Sequence, residues 1–157
     1  MIQRIQTLWL ILASLTLFLL FLFPYSHFSD QMGIAHALKI TGLYKNIGGE
    51  AILSTSFILQ TIVLVVLAIF PFFIIFNYKN RKKQSLLVSI LIAVIILFGA
   101  WIYVSTQKAI EAVNQQVGIG NLDIGALLIP LSIVFLFLAL KGIKYDEKLI
   151  KSAERLR

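Results

Sequence analysis

The sequence predicts an all-α integral membrane protein, a four-transmembrane-helix bundle, from three observations: few charges, four long charge-free stretches, and a lopsided placement of the basic residues. Of 157 residues, 59% are hydrophobic and 13% charged, against about a quarter charged in an ordinary soluble domain. Fourteen Lys and Arg and seven Asp and Glu are too few to clothe a soluble domain of this length, because they also crowd into short segments. The length fits a single integral membrane domain over 1–157.

The charge-free stretches run over 5–29, 51–78, 84–107 and 124–140, with lengths of 25, 28, 24 and 17 residues. A hydrocarbon core needs about 20 mostly apolar residues in a helix, the form that satisfies its own backbone groups. The spans are therefore placed at 5–23, 51–76, 86–104 and 124–140, leaving a tail over 141–157. The first reads as an uncleaved anchor: Leu8 to Phe23 is long for a signal-peptide core, and Pro24-Tyr25-Ser26-His27-Phe28 lacks the small residues of a cleavage site. Pro71 and Pro130 fall inside spans and read as packing kinks.

Basic residues set the orientation. Arg4, the group Lys79, Arg81, Lys82 and Lys83, and the tail group Lys141, Lys144, Lys148, Lys151, Arg155 and Arg157 lie on one side, eleven against three (Lys39, Lys45 and Lys108) on the other. That bias places both termini in the cytoplasm. It also accounts for the net charge of +7 without nucleic acid. With no cysteine in the chain, disulfides, thiolate metal sites and a cysteine nucleophile are excluded.

The first outer loop, 24–50, mixes β-branched, aromatic and polar residues over Ile34–Tyr44 before Asn46 and the Gly48-Gly49 pair, which predicts a small β-hairpin or short strands. In the second, Lys108–Val117 continues the third helix, and Asn121 or Asp123 is placed to cap the fourth. The tail reads as a cytoplasmic amphipathic helix. Leu140, Ile143, Leu149, Ile150, Ala153 and Leu156 fall on one side, with Lys144, Lys148, Lys151 and Arg155 as a stripe on another. Those four basic residues are the candidate contacts, either to anionic lipid headgroups of the bilayer or to a membrane-protein partner.

Reaction chemistry is harder to find. No span carries an ionisable residue, the usual mark of a relay or ion path. His27, His36, Asp30 and Glu50 share one loop without recognised ligand spacing, so no metal, cofactor or catalytic residue is expected. The polar residues of the spans, such as Gln60, Thr61, Ser89 and Ser132, suit hydrogen bonding between helices.

The opening MIQRIQTLWLILA, the closing GIKYDEKLIKSAERLR, the Thr41-Gly42-Leu43-Tyr44 stretch and the Phe23-Pro24 pair together resemble the Bacteroidota membrane proteins grouped as domain of unknown function 4293. The resemblance spans the whole chain and implies a bacterial inner-membrane location with no assigned activity. The polar detail of both ends, beyond what anchoring needs, predicts that the two segments touch each other or a common partner. Three functions remain open: a non-enzymatic accessory or assembly subunit of an inner-membrane complex, expected first; a small homo-oligomeric transporter or channel lined by Gln60, Thr61, Ser89 and Ser132; and a membrane enzyme requiring His27, His36, Asp30 and Glu50 to converge.

Overall fold

The computed structural model describes residues 2–78, 80–113 and 118–155, and the side chains of these except at 2–4, 119 and 150–155. Its elements run α1 (Ile2–Leu19), β1 (Ser26–Ser29), β2 (Ala35–Lys39), β3 (Gly42–Ile47), β4 (Glu50–Ser56), α2 (Ile58–Phe76), α3 (Arg81–Glu111), a 3-10 turn (Ile119–Asn121) and α4 (Ile124–Arg155). The helices run up and down, with α1 against α2 and α4, and α3 against α4 and α2. The starts of α1 and α3 and Asp146 of α4 meet at one end of the bundle, and the sheet docks at the other.

Helical periodicity builds the core. Leu10, Ala13 and Leu17 form the buried stripe of α1, opposite Leu64, Leu67 and Ala68 of α2, Ile95 and Phe98 of α3, and Leu136, Ala139 and Ile143 of α4. Polar side chains tie the helices across this seam: Ser14 Oγ donates to the Ala68 carbonyl (2.6 Å) and Gln60 Nε2 to Ser105 Oγ (2.9 Å). The outer faces are equally apolar. Helices α2, α3 and α4 are long and apolar enough to cross a membrane, and only 33% of the most apolar window of each is buried inside the protein. Such a surface wants hydrocarbon around it.

The structure departs in three places from the expected four-helix bundle with a small outer β-hairpin. First, the apolar part of α1 is Ile5–Leu19, shorter than a full span, whereas the sequence placed it over 5–23. Beyond Leu19 the chain tightens: Phe21 N–H donates to the Phe18 carbonyl (3.1 Å) and Leu22 N–H to Leu19 (3.0 Å). Such i to i−3 bonds end a helix, and Pro24 bars its continuation. Second, the second span starts at Ile58 and not at 51, because Glu50–Ser56 is a strand. A charge-free run of Ile, Leu, Ser and Thr satisfies a hydropathy criterion as well in a strand as in a helix.

Third, the expected hairpin is a four-stranded antiparallel meander in the order β1-β2-β3-β4. Gly48 and Gly49, at φ of 65° and 90°, form the two-residue β3–β4 turn, a conformation that requires positive φ at both positions. Phe28 and Leu38 point inward from β1 and β2. Thr61 Oγ1 on α2 donates to the Ile40 carbonyl (3.1 Å), and Phe57 N–H to Thr41 (2.9 Å), docking the sheet on the helices. Every residue of β4 is exposed.

The tail expectation fares better. Helix α4 runs without a break from Ile124 to Arg155, through Pro130, and α3 extends to Glu111. Asp123, not Asn121, meets the start of α4, its carboxylate accepting the Ile124 N–H (2.8 Å). Residues 114–117, and with them the end of the predicted extension, lie outside the described residues, as do Lys79 and Arg157 of the charge count.

Candidate functional site

At the terminal end, three helices meet around one buried carboxylate. Gln6 Nε2 on α1 donates to Asp146 Oδ2 on α4 (2.7 Å), and Arg81 Nη1 at the start of α3 donates both to Asp146 Oδ2 (3.2 Å) and to Gln6 Oε1 (3.0 Å). Gln6 is 3% exposed and Asp146 8%. An acid can be held this deep only when a counter-charge and donors saturate it. Gly142 makes room, since a Cβ there would stand 2.9 Å from Gln6 Cγ. The predicted contact between the opening and closing segments is this clasp. Sequence reasoning did not single out Arg81 or Asp146, reading the former as a loop charge.

The clasp fixes the rotation of α4. With Ile143 and Asp146 turned inward, Lys141, Lys144, Tyr145 and Lys148 turn outward, at spacings of three and four that share one helical face. With Phe137 and Leu140 they line an open groove of about 470 Å³. Lys144 and Lys148 are thus on one exposed face as expected, with Lys141 and Tyr145 added to it. The side chains of Lys151 and Arg155 lie outside the described residues. Leu149, grouped by sequence on one side with Leu140 and Ile143, is 46% exposed.

The opposite end is polar in a different way. The segment after α1 pairs with the start of α4: Gly125 N–H donates to the Pro24 carbonyl (2.9 Å), Asp123 N–H to Tyr25 (3.2 Å), and Ser26 Oγ to Asn121 (2.8 Å). Tyr25, 2% exposed, forms part of the wall of a cavity of about 260 Å³ between α3 and α4. Burial pushes its phenol up, so it stays protonated as a donor. The hydroxyl has no hydrogen-bond partner among the described residues.

The four residues of the enzyme reading are placed apart in role. His27 is exposed and faces Asp123 (Nδ1 to Oδ2, 3.3 Å), while His36 is 4% exposed and stacks on Phe28 with ring centroids 4.9 Å apart. Asp30 accepts the Gln31 N–H (2.6 Å) in the β1–β2 turn, and Glu50 opens β4. Among the described residues no three His, Asp or Glu gather as a metal-holding group. Of the residues of the transport reading, Gln60 bonds a neighbouring helix at Ser105, Thr61 bonds the carbonyls of Ile40 and Phe57, and Ser89 and Ser132 bond carbonyls of their own helices, Ser85 (3.0 Å) and Ile129 (2.7 Å). None of them lines either cavity.

His36 carries a pH prediction. Burial lowers its pKa from 6.5, nearby Lys45 lowers it further, and Asp30 opposes both. The folded state therefore favours neutral imidazole more than the unfolded state does. The stability this gives is present above pH 6.5 and is lost as pH falls from there through the lowered folded-state value. The variant His36→Phe keeps a ring on Phe28 and should flatten the acid side of a Tm-against-pH curve relative to the parent. Superimposable curves would refute the burial effect.

No curated protein matches the chain, and no solved structure does. A family model described as a domain of unknown function, DUF4293, matches residues 2–156. From its first helix to the end of its clasped, basic fourth helix, the chain belongs to the DUF4293 family.

Proposed function

We propose that the chain is a non-enzymatic protein of the bacterial inner membrane that serves as an accessory or assembly subunit of a membrane complex. In this reading all four helices cross the bilayer, both termini and the lysine face lie in the cytoplasm, and the sheet lies outside. The α1 shortfall is met by the turn of Leu20–Phe23, which carries the apolar path to Pro24.

The observation that carries the reading is β4. It pairs with β3 along one side and is exposed over all seven residues, with Ile52 50% and Leu53 49% exposed. It contains no proline, and Glu50 at its start is its sole charge. Natural sheets blunt their edges with lysine, proline or covering segments. An edge left bare beside a membrane surface suits strand addition by a partner, where main-chain bonds give affinity and alternate side chains give specificity. On the other side, the lysine face of α4 suits anionic headgroups, each lysine contributing about 1 kcal/mol near the surface.

The test is crosslinking in living cells, followed by mild-detergent purification through a C-terminal tag and mass spectrometry. A stoichiometric membrane-protein partner should appear and be lost when Ile52→Lys and Leu53→Pro break the edge. Neutralising Lys144 and Lys148 with Gln should instead weaken retention of anionic lipid and spare the partner. A homo-oligomer that brings no other protein would sink the subunit reading and turn attention to transport.

A further inference from the structure

We propose that the groove of Lys141, Lys144, Tyr145 and Lys148 on α4 seats one phospholipid that carries two phosphates, with a chain laid against Phe137 and Leu140. This deepens the reading of the lysine face and rests on that part of it alone, namely that α4 lies in a bilayer. It needs neither the β4 edge nor a partner protein.

The groove straddles a change in the character of the helix. Phe137 and Leu140 close the charge-free stretch 124–140, and Lys141 opens the tail. At the helical rise, Lys141 stands ~25 Å along α4 from Ile124, and Lys148 ~36 Å. A hydrocarbon core is about 30 Å thick, and the bilayer with its headgroups about 40–45 Å. Phe137 therefore lies among lipid chains, while the lysines run from the edge of the hydrocarbon into the headgroups. Tyr145, on the same face, is of a residue type that favours this boundary. The groove volume, about 470 Å³, falls within the range of ligand pockets.

The lysines carry charge that the protein leaves uncompensated. Asp146 is turned inward onto Gln6 and Arg81, and Glu147 is half-buried and is not among the walls of the groove. Among the described residues, none of the three lysines meets a carboxylate at ion-pair distance. Their spacing sets the number of phosphates. Residues three or four apart on a helix are neighbours at about 5–6 Å, so Lys141 with Lys144, or Lys144 with Lys148, can grip one phosphate. Lys141 and Lys148 stand ~10 Å apart along the axis, and engaging all three lysines at once takes a second phosphate. Basic sites at the cytoplasmic boundary of membrane helices hold such lipids in other proteins.

The full-length protein in mild detergent is mixed with equimolar diphosphatidylglycerol and phosphatidylglycerol, and retained lipid is read by native mass spectrometry. The parent should keep one diphosphatidylglycerol, preferred about five-fold because one more lysine is engaged. Lys141→Gln or Lys148→Gln leaves one lysine pair, so the preference should fall close to one while phosphatidylglycerol is spared. Lys144→Gln breaks both pairs, so retention of both lipids should fall about five-fold with the preference unchanged. The double variant Lys82→Gln, Lys83→Gln, outside the groove, should change nothing. Every substituted lysine is exposed, so folding is not at stake. A preference unmoved by Lys141→Gln and Lys148→Gln overturns the proposal, since it would come from the additional chains alone. Equal losses in the Lys82 and Lys83 variant overturn it in favour of general positive charge. Displacement of the lipid by millimolar inorganic pyrophosphate also overturns it, because a seat for the chain would hold against a soluble headgroup. Failure to capture a partner at β4 would count against the subunit reading and leave each of these results standing.

Discussion

Arg81→Met is expected to lower the unfolding free energy of the detergent-solubilised protein by about 3 kcal/mol, because it strands a buried carboxylate. Asp146 is 8% exposed and receives its hydrogen bonds from Gln6 at 2.7 Å and Arg81 at 3.2 Å. Methionine preserves most of the Arg81 volume and removes both its bond to Asp146 and its bond to Gln6. What remains is a buried anion with the Gln6 amide as its donor among the described residues. The cost is therefore mostly that of the unpaired charge and not of the bond itself, which makes a sharper expectation available. Adding Asp146→Leu to Arg81→Met should recover most of the loss, since replacing both partners of a buried pair by apolar groups is often near neutral. A double-mutant cycle from denaturant titration measures the difference. Additive losses, with no recovery, would show that the three side chains act separately and that the clasp does not set the rotation of α4.

The clasp was partly legible in the sequence. Gln6 precedes Leu10, Ala13 and Leu17 at spacings of four, three and four, and Asp146 follows Leu136, Ala139 and Ile143 in the same way. A polar residue that continues an apolar stripe is a candidate for a buried, paired group. In the tail, however, Asp146 lies among lysines and reads as one more solvated charge until the phase of the helix is followed inward. Charge-free length found α3 and α4 because helix fills 84–107 and 124–140 completely, and α2 because helix fills most of 51–78. It misjudged 51–56, where the choice between strand and helix is made by pairing with Gly42–Asn46, a partner no local window sees. The Gly48-Gly49 turn was visible; β1 was not, since Ser26–Ser29 is too short to alternate convincingly. The Tyr25 cavity joins residues from 25 to 130 and depends on how three segments meet. Nothing in the local pattern marks it.

Gly125→Val is expected to destabilise the protein by about 3 kcal/mol and to loosen the sheet from the helices. Gly125 donates its N–H to the Pro24 carbonyl at 2.9 Å, so the two backbones already lie in contact. A Cβ at Gly125 would collide with the Pro24 carbonyl oxygen and stand 2.7 Å from its carbon and 2.9 Å from Tyr25 Cα. All three atoms are backbone, so no rotamer change relieves the clash and the 24–25 segment must move as a piece. That movement strains the neighbouring Asp123 bond to Tyr25 and the Ser26 bond to Asn121. It also carries Tyr25 away from the cavity wall it helps to form. Gly142 provides the contrast within the same helix. Its nearest neighbour is Gln6 Cγ at 2.9 Å, a side-chain and not a backbone atom, so Gly142→Ala displaces one clasped side chain, offset by a gain in helix propensity of about 1 kcal/mol. Thermal unfolding should therefore separate the two variants widely, and hydrogen exchange should show faster opening of β1 only in Gly125→Val. Equal Tm values for the two would mean that the junction of 24–25 with α4 yields freely, and that the sheet is held by the α2 contacts at Ile40 and Thr41 instead.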